Sequence, residues 1–154
     1  GDFRVVHVSI QHNHVHLIVE ADSRVALARG VQGLCISMSR RLNRRLRRTG
    51  RVFAHRYHAT AITSPRQTRH ALGYVLNNWR RHREDHASPA ARRAPVDPYS
   101  SGPAFDGWRN LDEPLGFPPD YEPLPTSRPT TWLLTTGWRR HRLVAVRERP
   151  GPWR

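Results

Sequence analysis

The chain contains no lysine: all 26 of its basic residues are arginine, set against 12 acidic ones for a net charge of +14 over 154 residues. A guanidinium stays charged at any working pH and can meet a phosphate with two parallel hydrogen bonds, so the expected partner is a polyanion, above all a nucleic acid. The single cysteine, Cys35, excludes an internal disulfide and a cysteine-built zinc site. It falls on the apolar side of a helical pattern, where packing is its expected role. No apolar run approaches the roughly 18 residues of a membrane span, and the first residues show no signal-peptide pattern, so no membrane partner is expected and the expected location is cytoplasmic. The chain opens on Gly1 and enters a strand almost at once, which places its expected natural start further upstream.

What is present begins with a β-hairpin. Phe3 to Ile10 is rich in β-branched residues, with Val6, Val8 and Ile10 alternating toward one face. Gln11, His12 and Asn13 make a turn, and the chain returns through His14-Val15-His16-Leu17-Ile18-Val19-Glu20. Side chains alternate across a strand, so Val15, Leu17 and Val19 are expected to face a core while His14, His16, Ile18 and Glu20 share the other side. Two neutral imidazoles on one rigid strand face suit a metal ion, although a pair of half-exposed histidines on a wet sheet shows the same pattern.

Beyond the hairpin, Asp22 or Ser23 is the expected N-cap of a helix of about seven turns, marked by Leu27, Val31, Leu34, Met38, Leu42 and Leu46 and ended by Gly50. Gly30 and Gly33 weaken it and suggest close packing on the sheet. Arg40, Arg41, Arg44, Arg45, Arg47, Arg48 and Arg51 crowd its end, with Arg56 just beyond. Such a cluster repels itself unless counter-charges are present, which phosphates would supply; a solvated helix face is the alternative. Arg51 to Ile62 alternates like a further strand, with mixed residues on both faces. Ser64-Pro65-Arg66-Gln67 is a helix start, Ser64 as N-cap and Gln67 able to complete a capping box, for a helix running to about Arg83. Its expected buried stripe is Leu72, Val75, Leu76 and Trp79, with Tyr74 and Asn78 off the centre and one turn apart.

After Asp85 the texture changes, and ten of the 13 prolines lie between Pro89 and Pro129. Residues 87–130 read as a proline-rich linker with little regular structure, in which Tyr99, Phe105 and Trp108 suit wrapping around the domain, and 131–154 as a basic helix and tail in which Trp132, Trp138, Arg139 and Arg140 suit either base stacking or core packing.

A tyrosine hydroxyl is a weak nucleophile at its usual pKa near 10, but a metal that polarises a phosphodiester makes its attack feasible. Asn13-His14-Val15-His16-Leu17 resembles the His-hydrophobe-His signature of HUH endonucleases, in the form carried by single-tyrosine transposases. Ala71-Leu72-Gly73-Tyr74-Val75-Leu76-Asn77-Asn78 resembles their nucleophile helix, and Asn at the last place is similar to the REP-associated tyrosine transposases; Gly50 to Phe53 with Arg56-Tyr57 resembles their connector.

The resemblance implies an α+β fold, a ferredoxin-like antiparallel sheet with helices on one face, followed by a proline-rich extension. It makes residues 1–86 the catalytic domain, lacking the strand and helix that usually precede the hairpin and so exposing a sheet edge. It implies Tyr74 as nucleophile, Mg²⁺ or Mn²⁺ held by His14, His16 and Asn78, and cleavage of single-stranded or hairpin DNA through a 5′-phosphotyrosine. The substrate would be gripped by Arg40, Arg41, Arg44, Arg45, Arg47, Arg48, Arg51 and Arg56, and a homodimer is compatible with it. Two other readings share the basic charge: a truncated relative that binds DNA without cutting, and a basic RNA-binding protein.

Overall fold

The computed structural model describes residues 1–112 and 114–153. Its elements are of the mixed α and β kind, in an α+β arrangement, and fall into two compact units: residues 1–4 with 20–61, and residues 5–19 with 62 onward. Strands β1 (Phe3–Ile10) and β2 (Val15–Ala21) form a two-stranded antiparallel sheet, with the Gln11 N–H donating to the His14 carbonyl at 2.9 Å to close its turn.

In the first unit, helix α1 (Arg24–Arg45) starts where Ser23 Oγ accepts the Ala26 N–H at 3.0 Å. The ring of Phe3 occupies the space where a side chain at residue 30 would lie, so Gly30 permits a close approach; Gly33 faces open space. Buried Glu20 is paired with Arg4, Nε to Oε2 at 3.1 Å. The apolar stripe of α1 is covered only in part: Ala26 and Val31 are buried, whereas Leu42 and Leu46 are 42% and 56% exposed. After α1 the backbone enters the left-handed region at Arg47 (φ 50°) and Gly50 (φ 98°), the second being where only glycine sits at ease. The strand expected over Arg51–Ile62 does not form: these residues have neither helix nor strand, and most are exposed. With neither of its alternating faces apolar, the segment has no surface to bury on a sheet.

The second unit holds the main core. Helix α2 (Pro65–Leu76) is capped by Ser64, whose Oγ accepts the Gln67 N–H at 3.2 Å, while Gln67 Oε1 reaches back to the Thr63 N–H at 2.9 Å, one residue earlier than in a regular capping box. Ala71, Leu72, Val75 and Leu76 cluster with Ile18 of β2. The core face of β2 is therefore the one expected to be outward. Ile18 is 3% exposed and Glu20 is buried, while Val15, Leu17 and Val19 are only half-buried. Both faces mix polar and apolar residues, so alternation could not rank them; the apolar stripe of α2 decides it by covering the side that carries His14 and His16.

The proline-rich stretch supplies Val96, Phe105 and Trp108 to the same core, and the C-terminal segment adds Trp138, Val144 and Val146. Two short strands, β3 (Trp108–Arg109) and β4 (Val144–Ala145), pair in parallel. Residues 97–101 run beside β1: the Ile10 N–H donates to the Tyr99 carbonyl and the Ser101 N–H to the Val8 carbonyl, both at 2.8 Å. The β1 edge expected to lie open is thus hydrogen-bonded by the chain's own extension, which removes a template for pairing with other chains. Trp138 is buried at 1% and belongs to the core, whereas Trp132 is 49% exposed with Arg140 stacked on it at 5.0 Å.

Candidate active site

The site lies wholly within the second unit. Helix α2 stops at Leu76 because Asn77 leaves the helical region (φ −108°, ψ 17°); its backbone N–H still donates to the Gly73 carbonyl at 3.1 Å, while its buried side-chain amide donates to the Ala145 carbonyl at 3.0 Å. A short helix α3 (Asn78–Arg81) follows, so the helix expected to run unbroken to Arg83 is two pieces. The register across the break still carries Tyr74, Asn78 and His82 at intervals of four residues.

The structure brings the sequence-predicted residues together. The rings of His14 and His16 lie 4.6 Å apart between centroids, and that of Tyr74 meets His16 edge-on at 5.2 Å. Asn78 is fully buried, contrary to its expected place away from the stripe, because the helix turns this face toward the histidines. Its carbonyl oxygen and amide nitrogen both lack a hydrogen-bond partner, as does His16 Nε2. Asn78 stands close enough to His16 to favour its charged form, but not in the geometry of a good hydrogen bond. Unpaired polar atoms at this depth cost free energy unless something else satisfies them.

Burial holds His16 well below the usual imidazole range, at about 4, and neighbouring His14, His82 and Arg81 push the same way. At neutral pH His16 is therefore uncharged and keeps a lone pair. His14 Nδ1 lies 2.6 Å from Asn13 Oδ1. An amide oxygen can only accept, so Nδ1 is the donor of this pair, and Nε2 is the ring nitrogen left to face a metal. Among the described residues no three His, Cys, Asp or Glu side chains form a metal-holding group; the donors this site could offer a metal are the imidazoles of His14 and His16 and the Asn78 amide.

Several neighbours were not anticipated from sequence. His82 approaches His14 at 5.2 Å, and the 74/78/82 spacing could have revealed it. Arg81 lies 5.7 Å from the Tyr74 ring centroid. His70 stacks on Trp153 at 5.3 Å, and Trp153 comes within 5.8 Å of Tyr74; nothing local in the sequence links positions so far apart. The eight arginines from Arg40 to Arg56 belong to the first unit and are all exposed, and among the described residues none of them forms an ion pair.

Two histidines and an asparagine thus surround unmet polar atoms, with a tyrosine ring against them. Residues 1–78, half of the chain, match the family model described as "Transposase IS200 like". The protein belongs to this IS200-like transposase family, whose members are DNA-processing enzymes, and DNA is accordingly its partner. No similar curated protein and no similar solved structure was found. Among the described residues no helix is long and apolar enough to cross a membrane.

Proposed function

We propose that the protein nicks single-stranded or hairpin DNA and transfers the strand through a covalent 5′-phosphotyrosine on Tyr74, with a divalent metal held by His14, His16 and Asn78. The observation that carries this reading is the buried, unpartnered pair of His16 Nε2 and the Asn78 side chain, beside an imidazole already oriented by Asn13 and against the Tyr74 ring. The donor set of two imidazoles and one amide oxygen suits Mn²⁺ at least as well as Mg²⁺. When bound, such an ion polarises a phosphodiester oxygen and offsets the charge that develops on it.

The chain's own residues supply the rest. The Tyr74 phenol oxygen forms a bond to phosphorus as the bond from phosphorus to the 3′ oxygen breaks; the phenolic proton passes to water, and the departing 3′ oxygen takes up a proton from water, so the released strand ends in a 3′-hydroxyl. Attack by a 3′-hydroxyl on the phosphotyrosine reverses these steps and joins strands. Arg81 places a cation beside the reacting phosphate. His14, His16, Asn78 and Tyr74 come from one chain, which supports a site that needs no residue from a second copy. The exposed arginines from Arg40 to Arg56 have phosphate-binding capacity that no ion pair takes up. Asn as the third ligand favours the REP-associated branch of the family.

Incubation with a single-stranded oligonucleotide and Mn²⁺ tests the mechanism. A covalent protein–DNA adduct is expected on a denaturing gel, absent in Tyr74→Phe at unchanged DNA affinity. An adduct that survives in Tyr74→Phe sinks the assignment; binding by wild type without any adduct supports the non-cutting reading.

A further inference from the structure

Beside His14 lies an open cleft of about 740 Å³, a size typical of small-ligand sites. One wall is the hairpin turn, Ile10 to His14, and the other is built by Trp79, His82 and the stretch from Glu84 to Tyr99. Most of that second wall lies beyond residue 78, where the match to the family model ends. His14 and His82 border both the cleft and the candidate active site, so the two are continuous.

The lining is unlike the rest of the molecule. In a chain with 26 arginines none borders this cleft, while Glu84 and Asp97 both do. A phosphate would meet carboxylates here and no guanidinium, so the cleft is unsuited to the DNA backbone. Tyr99 is 69% exposed, an aromatic face of the kind on which bases stack. A carboxylate such as that of Glu84 accepts hydrogen bonds and donates none, and exocyclic amino groups are what adenine, cytosine and guanine offer and thymine lacks.

We propose that this cleft binds an unpaired nucleobase of the DNA strand next to the phosphate at the active site, preferring a base with an exocyclic amino group over thymine. Tyr99 supplies the stacking face and Glu84 the acceptor for the amino group. The position of the base beside the scissile phosphate rests on the proposed cleavage reaction; the binding of the base does not. The proline-rich extension thereby contributes sequence preference to a site whose chemistry lies in the first 78 residues.

The experiment is a binding selection from a randomised single-stranded DNA library, run with the full chain carrying Tyr74→Phe and in EDTA, so that neither cleavage nor metal is required. Thymine is expected to be depleted about tenfold at one position. Glu84→Gln in the same background should erase that depletion. Tyr99→Ala, a change at an exposed ring that leaves the core intact, should weaken binding about tenfold without altering its salt dependence. A library with no position-specific bias, or a bias unchanged in both variants, overturns the proposal. Thymine depletion in this selection together with no Mn²⁺-dependent adduct from the unmodified protein upholds the cleft and sinks the cleavage reading alone. An adduct formed with no base preference does the reverse.

Discussion

Arg69 and Arg80 in the second unit and the eight arginines between Arg40 and Arg56 in the first carry the same side chain in opposite surroundings. Arg80 is buried: it donates to the Val146 carbonyl at 3.0 Å, to Asp85 at 3.1 Å and to the Pro95 carbonyl at 2.8 Å, and lies over the Trp79 ring at 4.7 Å. Arg69 forks onto both oxygens of Glu148 at 2.8 and 2.6 Å and also meets the Leu143 carbonyl. Each ties α2 or α3 to the C-terminal segment. The exposed eight make no ion pair among the described residues, and α1 beneath them keeps Leu42 and Leu46 in solvent. A tally of basic residues therefore merges two populations, one consumed by the fold and one left for an anion.

The largest effect that should separate them is on stability. Arg80→Ala leaves buried Asp85 with only the exposed His86, at 3.6 Å, beside it and frees two carbonyls, and should cost about 3–5 kcal/mol in urea unfolding. An exposed arginine such as Arg41→Ala should stay within about 0.5 kcal/mol. Equal losses at the two positions would erase the distinction.

A second contrast is with acid, and it lies within the second unit. Burial raises Asp97 to about 6, so the fold favours its neutral form, and its contribution grows as pH falls from about 6 toward 4. Burial lowers His7 to about 4, so its contribution is complete above about 6.5 and is lost as pH falls through that window. The two oppose each other. In Asp97→Asn the His7 loss stands uncompensated, and stability between pH 6.5 and 4 should drop more than in wild type by on the order of 2 kcal/mol. Parallel denaturation profiles for the two proteins would show that Asp97 does not supply the offset.

Asn13 offers a test closer to the chemistry. If its Oδ1 holds the Nδ1–H of His14, Asn13→Ala should weaken Mn²⁺ activation about tenfold and be rescued by Asn13→Asp, with DNA affinity in EDTA unchanged. A loss in Asn13→Ala that neither extra Mn²⁺ nor the aspartate restores would mean that Asn13 acts by shaping the turn.

How much was legible in the sequence follows from how local each signal is. Ser64-Pro65 and Ser23 mark their helix starts because capping is settled within four residues. His14, His16, Tyr74 and Asn78 were legible as candidates through the spacing of short motifs. The core face of β2 was not, since it depends on which side α2 covers, a contact between residues more than 50 positions apart. The break at Asn77 was equally hidden: the partner of its buried side chain is the Ala145 carbonyl, 68 residues away. The edge cover by Tyr99 and Ser101 could not be read from a stretch whose composition resembles a linker; its backbone makes those bonds, and composition carries no record of backbone partners.

The smallest expected effect bears on the arginines themselves. Arg40, Arg41 and Arg48 are exposed and lie outside the last turn of α1, whereas Arg44 and Arg45 sit in that turn, where a cation also favours the helix dipole. Replacing Arg40, Arg41 and Arg48 together with glutamine should leave unfolding almost unchanged. If each neutralises one phosphate of single-stranded DNA, the slope of log affinity against log salt should become shallower by about 2, roughly 0.7 for each arginine removed. Affinity near physiological salt should fall only several-fold to tenfold, because counterions already screen exposed charges there. The slope is the sharper readout, since it counts phosphates and is insensitive to a base held in the arginine-free cleft. A slope unchanged in the triple variant would remove this helix end from the DNA path, and the +14 charge would then need to meet its phosphates elsewhere, with Arg140, over the exposed Trp132 ring, and Arg142 the next to neutralise.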